Sequence, residues 1–103
     1  MDKKKRTDRN HVIYQLTCVP TGDLYIGLTV ARGRAFIKSA MTRFQQHCYR
    51  AEVETDKDWA LYETMREHDG WVVEVLEVVR GKSNAHARER ELIAEIDPNL
   101  NSQ

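Results

Sequence analysis

Two short runs of strand character lie close together near the start of the chain, and the residues between them join them as a hairpin. From Val12 to Val19, Val12, Tyr14, Leu16 and Cys18 alternate with Ile13, Gln15, Thr17 and Val19. A period of two is the signature of a strand. Pro20-Thr21-Gly22-Asp23 is a cluster of turn residues, and Leu24 to Thr29 reads as a second strand. With residues 20–23 as the loop, Val19 pairs with Leu24, Tyr14 faces Thr29 and Cys18 faces Tyr25. Tyr14, Tyr25 and Gly27 then share one face of the hairpin, and a slip of one residue would separate them. Gly27 weakens the strand it sits in. Such a glycine often marks the close approach of a ligand or of another backbone.

The remaining segments follow the same logic. Residues 30–34 form a loop. Ile37, Ala40, Met41, Phe44 and Cys48 recur at helical spacing, which predicts a helix from about Ala35 to Arg50. Thr55-Asp56-Lys57-Asp58 resembles a capping box for a second helix that buries Leu61, Tyr62 and Met65 and stops before Gly70. Trp71 to Val79 is nearly continuous in valine and reads as a central strand covered on both faces, with Glu74 and Glu77 interrupting it. Ser83 or Asn84 can cap a last helix that ends near Ile96, ahead of Pro98. The order β-β-α-α-β-α predicts a chain of the α/β (α+β) class, a small sheet with helices packed on it.

Length and charge narrow the functional classes. With 103 residues the chain is one domain, over residues 11–103, preceded by a basic flexible N-terminal arm at 1–10. No apolar stretch is long enough to span a membrane, and no signal-peptide pattern follows the charged N-terminus. Two cysteines, Cys18 and Cys48, are too few for a disulfide scaffold, so a cytoplasmic, reducing location is expected. The formal net charge is zero, yet residues 1–50 carry +7 and residues 51–103 carry −7. A basic half points to a polyanionic partner.

Certain polar residues sit where apolar ones belong. Around the last helix, Ala85, Leu92, Ile93 and Ile96 cluster on one side. Glu89 falls among them, while Glu91 and Glu95 face the opposite way. A carboxylate on a core face is expensive unless it is paired, protonated or metal-bound. On the first helix Arg43 and His47 are four residues apart and flank the apolar stripe, so both can reach a cleft beside the sheet. Read singly, Glu89 could be salt-bridged to an arginine and His47 a border histidine. Cys48 reads as a packing residue, and the histidines and cysteines show no zinc-ligand spacing.

Taken together these residues match a known pattern. Val12-Ile13-Tyr14 followed by Tyr25-Ile26-Gly27 resembles the paired signature of the GIY-YIG nuclease superfamily. Arg43-x-x-x-His47, Glu89-x-x-x-Ile93 and Asn101 resemble its later elements, so the resemblance spans roughly residues 11–101. Val12 stands where the signature has glycine. The resemblance implies a GIY-YIG fold, a three-stranded antiparallel sheet flanked by helices. It also implies metal-dependent hydrolysis of DNA phosphodiester bonds with one Mg2+ (or Mn2+) per site, held by Glu89 as the metal ligand. It assigns catalytic positions to Tyr14, Tyr25, Arg43, His47, Glu89 and Asn101. Tyr14 would be general base, assisted by His47. Arg43 would hold the phosphate, Tyr25 would orient water or phosphate, and Asn101 would hold the C-terminal tail or hydrogen-bond near the site. Gly27, with room for a phosphate beside the tyrosines, and Arg32, Arg34 and Lys38 are the expected DNA contacts. Specificity would come from the arm, the 30–34 loop, a homodimer or a partner protein. Two alternatives compete: a catalytically weak or inactive nucleic-acid-binding module of the same fold, and a regulatory protein-binding domain.

Overall fold

The computed structural model describes residues 8–56 and 59–101. Three strands, β1 (Asn10–Cys18), β2 (Asp23–Val30) and β3 (Trp71–Arg80), form one antiparallel sheet in the order β2-β1-β3. Helices α1 (Phe36–Val53) and α2 (Ala60–Glu67) pack on one face, and α3 (Lys82–Ile96) packs on the other. A short 3₁₀ turn, Asn99–Asn101, closes the described chain. The expected order of elements and the antiparallel sheet are both present.

The central strand is β1. The valine-rich Trp71–Arg80 segment lies at an edge and is only half covered. In β1, His11 to Tyr14, Leu16 and Cys18 are buried, so this strand is the one covered on both faces. Val12, Tyr14 and Leu16 point toward α1 and α2, and Ile13 points toward α3 together with Ile26 and Leu92. Where β1 meets β3 the register shifts between Ile13 and Tyr14, which leaves Leu76 as an extra residue. Glu77 then stands opposite Ile13, on the α3 face. There it receives the Arg88 Nε–H at 3.0 Å.

The hairpin register differs from the expected one by two residues. Tyr14 pairs with Gly27 and Cys18 with Asp23, so residues 19–22 form the loop. Two is a full period of the pleat, so Tyr14, Tyr25 and Gly27 remain on one face. β1 also begins at Asn10, inside the expected arm; residues 1–7 of that arm lie outside the described residues.

Helix α1 is rotated relative to the expected stripe. Its buried residues are Ser39, Ala40, His47 and Ala51, whereas Ile37 and Met41 are 52% and 40% exposed. The Ser39 hydroxyl sets this rotation. It accepts the Arg32 N–H at 3.0 Å and donates to the Ala35 carbonyl at 2.7 Å, fixing the turn that enters the helix. His47 is thereby a core residue. The expected caps are also displaced. α2 starts at Ala60 after Trp59, past the Thr55–Asp58 box, of which Lys57 and Asp58 lie outside the described residues. α3 starts after Gly81, whose φ of +91° supplies the bend that Ser83 and Asn84 were expected to cap. Its end agrees with expectation: Asp97 is left-handed and Pro98 follows. No helix among the described residues is long and apolar enough to cross a membrane.

Candidate active site

The centre of the site follows from a missing side chain. A Cβ on Gly27 would overlap the ring and hydroxyl of Tyr14. Glycine therefore lets the Tyr14 phenol lie across β2, toward the free edge of that strand. The space beside Gly27 is filled by Tyr14 itself rather than left open for a phosphate.

Around that phenol three aromatic groups converge. The Tyr14 hydroxyl is 3.0 Å from His47 Nε2. Tyr25 meets the His47 ring edge-on at 5.6 Å and lies 6.5 Å from Tyr14. Tyr62 backs His47 from α2 at 6.2 Å. Only 5% of His47 is exposed, and its Nδ1 has no hydrogen-bond partner among the described residues. A buried imidazole with one empty nitrogen is poorly placed to carry charge. Burial, with Arg43 and Arg50 nearby, lowers the His47 pKa from 6.5 to about 4, so the ring is neutral at rest. Burial also raises the Tyr14 phenol well above its ordinary value, with the nearby Tyr25 adding to it; the adjacent Arg43 charge pulls the other way without prevailing. Tyr25 is raised as well, by burial and then by Glu89. At rest this is a pair of neutral acids held against a neutral base.

Tyr14, Tyr25 and Arg43 border a cleft of about 560 Å³ that Glu89 also lines. Glu89 belongs to the helix on the opposite face of the sheet, and the two sets meet around the outer edge of β2. Its side chain is 19% exposed, and burial raises its pKa. Among the described residues no arginine lies within salt-bridge distance of it, although the charge of Arg90 opposes the rise. Arg88, one position away, is taken by Glu77 and Glu91, each within 3.0 Å. His86 Nδ1 lies 3.8 Å from the Glu89 carboxylate. Glu91 and Glu95 are exposed, as the helical periodicity predicts.

Not every expected residue joins the cleft. Asn101 lies outside it. Its amide accepts the Ile26 N–H and donates to the Ile26 carbonyl, both at 2.8 Å, while Asn99 accepts the Leu24 N–H at 2.9 Å. The two asparagines act as a short substitute strand on the edge of β2, so Asn101 anchors the tail. Arg32, Arg34 and Lys38 are exposed, and none lines the cleft; Arg32 borders a neighbouring groove with Arg9. Cys48 is half-buried, with its thiol pushed up by burial and by Glu52, the reverse of an activated nucleophile.

The cleft has members that the sequence reading passed over: Arg9, His11, Lys82 and His86. His11 Nδ1 donates to the Arg9 carbonyl at 2.8 Å, which fixes its proton on that nitrogen. Lys82, His86 and Glu89 are spaced four and three apart, on one flank of α3. That spacing was the available signal. Comparison with protein-family models, with curated proteins and with solved structures gives no match.

Proposed function

We propose that this chain is a metal-dependent DNA endonuclease of the GIY-YIG type, hydrolysing phosphodiester bonds in the cleft beside β2. The observation that carries the reading is the convergence of Tyr14, backed by His47, with Arg43 and Glu89 on one cleft, from elements on both faces of the sheet.

The donor set fits a hard divalent cation. Among the described residues no three His, Cys, Asp or Glu side chains cluster, and Glu89 is the carboxylate lining the cleft. One carboxylate suits Mg2+, which keeps most of its water. When bound, the ion supplies Lewis acidity at the phosphate and positive charge near the phenol. Arg43, half-buried at the cleft wall, binds the phosphate and stabilises charge that develops on it. With positive charge at the site favouring the phenolate, the Tyr14 proton is lost to solvent, neutral His47 holds the phenolic oxygen through Nε2, and that oxygen takes a proton from the attacking water. The water oxygen bonds to phosphorus as the bond to the 3′ oxygen breaks, and the departing 3′ oxygen takes a proton from solvent water to become the 3′-hydroxyl. Burial keeps both partners neutral beforehand, so the pair becomes active only when substrate and positive charge are in place. Tyr25, flanking both groups, orients the water.

Incubation of the protein with supercoiled, linear and branched DNA tests this. Cutting is expected with magnesium and none with a chelator, leaving 5′-phosphate and 3′-hydroxyl ends. DNA binding without cutting on any of these substrates with Mg2+ or Mn2+ favours the inactive binding module instead.

A further inference from the structure

The far end of the cleft has a feature of its own. Asn99 and Asn101 occupy the outward-facing groups of Leu24 and Ile26 on the edge of β2. Outward-facing groups recur every second residue along a strand. The next are those of Leu28 and Val30, and both residues line the cleft. No hydrogen bond fills these positions among the described residues. The edge is thus closed along one half and open along the other, and the open half faces into the cleft. Lys82 and His86 of α3, and Arg9 just before β1, line the same cleft.

We propose that this end of the cleft is a second phosphate subsite, which holds the phosphate next to the scissile one on the same strand. The Leu28 and Val30 N–H groups give directional donors. Lys82 and Arg9 give charge, and His86 adds a ring N–H. Backbone amides and cations together are the usual means of fixing a nucleic-acid backbone without reading its sequence. The subsite makes the substrate a continuous polynucleotide strand rather than an isolated phosphodiester. This inference rests on the endonuclease reading and names the part of the substrate that reading leaves open.

Binding in chelator separates the two ideas, since no cutting is needed. The affinity of wild type, Lys82→Gln, His86→Gln and Arg90→Gln for a labelled duplex is measured across a salt series. Neutralising one phosphate fewer should reduce the slope of log K against log salt by about 0.9. Lys82→Gln is expected to show that reduction and a several-fold weaker affinity, and His86→Gln a weaker affinity. Arg90, on the same helix but outside the cleft lining, should match wild type. A methylphosphonate placed next to the cut site should remove the difference between wild type and Lys82→Gln. If wild type binds and Lys82→Gln keeps its full slope and affinity, the subsite is overturned while the endonuclease reading stands. If wild type shows no DNA binding at all, the endonuclease reading itself fails.

Discussion

His47 shows how a single residue links stability to chemistry. Its pKa is about 4 in the fold against 6.5 in an unfolded chain. At pH 7 both states are neutral, and the difference has no effect. As pH falls from about 6.5 toward 4, the unfolded chain takes up a proton that the folded chain refuses, so stability declines. The loss approaches on the order of 3 kcal/mol at the lower end. His47→Gln should flatten that part of a pH–stability curve measured by denaturant unfolding; an unchanged slope would mean the ring is charged in the fold. Gly27 makes a second case. Gly27→Ala forces a methyl group into the Tyr14 ring, and overpacking of this kind costs about 1–3 kcal/mol. Combining it with Tyr14→Ala removes the ring it collides with. The double variant should then lose less than the sum of the two single losses in thermal melts, and strict additivity would deny the contact. These residues were legible to different degrees. The Tyr14, Tyr25 and Gly27 face survived a two-residue error in register because the pleat repeats every two residues. The role of Gly27 did not, because a sequence shows that room is needed and not what fills it.

Among the elements, the edge strands and helix α1 departed most from the sequence reading. A valine run resembles a covered strand, yet β3 ended at an edge. Apolar residues on both faces do not by themselves put a strand at the centre: β3 sends Trp71, Val73 and Val75 to one core and Leu76 and Val79 to the other, yet β1 is the strand covered on both sides. The α1 stripe was read one flank off because Ser39 fixes the helix entry through its own hydrogen bonds, a tertiary choice that hydrophobic spacing does not contain. Asn101 was legible as a residue of interest, and its partner Asn99 was not, since pairing with a strand edge depends on where the tail returns. Asn101→Ala uncovers both backbone groups of Ile26. It should lower stability by about 1–3 kcal/mol, while cutting well below the melting temperature stays near the wild-type rate. A loss of cutting in a fully folded Asn101→Ala protein would place that residue in the chemistry after all.

At the scale of the whole molecule, the site exists because a three-stranded sheet is narrow. A helix on one face and a helix on the other reach around the same free edge, so Glu89 shares a cleft with Tyr14 and Arg43 without sharing a layer. The charge split of the sequence is softened in three dimensions. Arg9 and Arg43 from the basic half and Lys82 and His86 from the acidic half line one cleft. Burial holds Tyr14 protonated in the absence of a cation. Alkaline difference spectroscopy of wild type against Tyr14→Phe should therefore show a phenol that ionises late, and adding magnesium with a non-cleavable DNA should bring that ionisation down. The most direct test of the central claim is single-turnover cutting of a DNA substrate, with magnesium, by saturating wild-type, Tyr14→Phe, Glu89→Gln and Glu91→Ala proteins of verified DNA affinity. Wild type and Glu91→Ala are predicted to cut at similar rates, and Tyr14→Phe and Glu89→Gln to bind without cutting. Cutting at the wild-type rate by either of the last two would contradict the account.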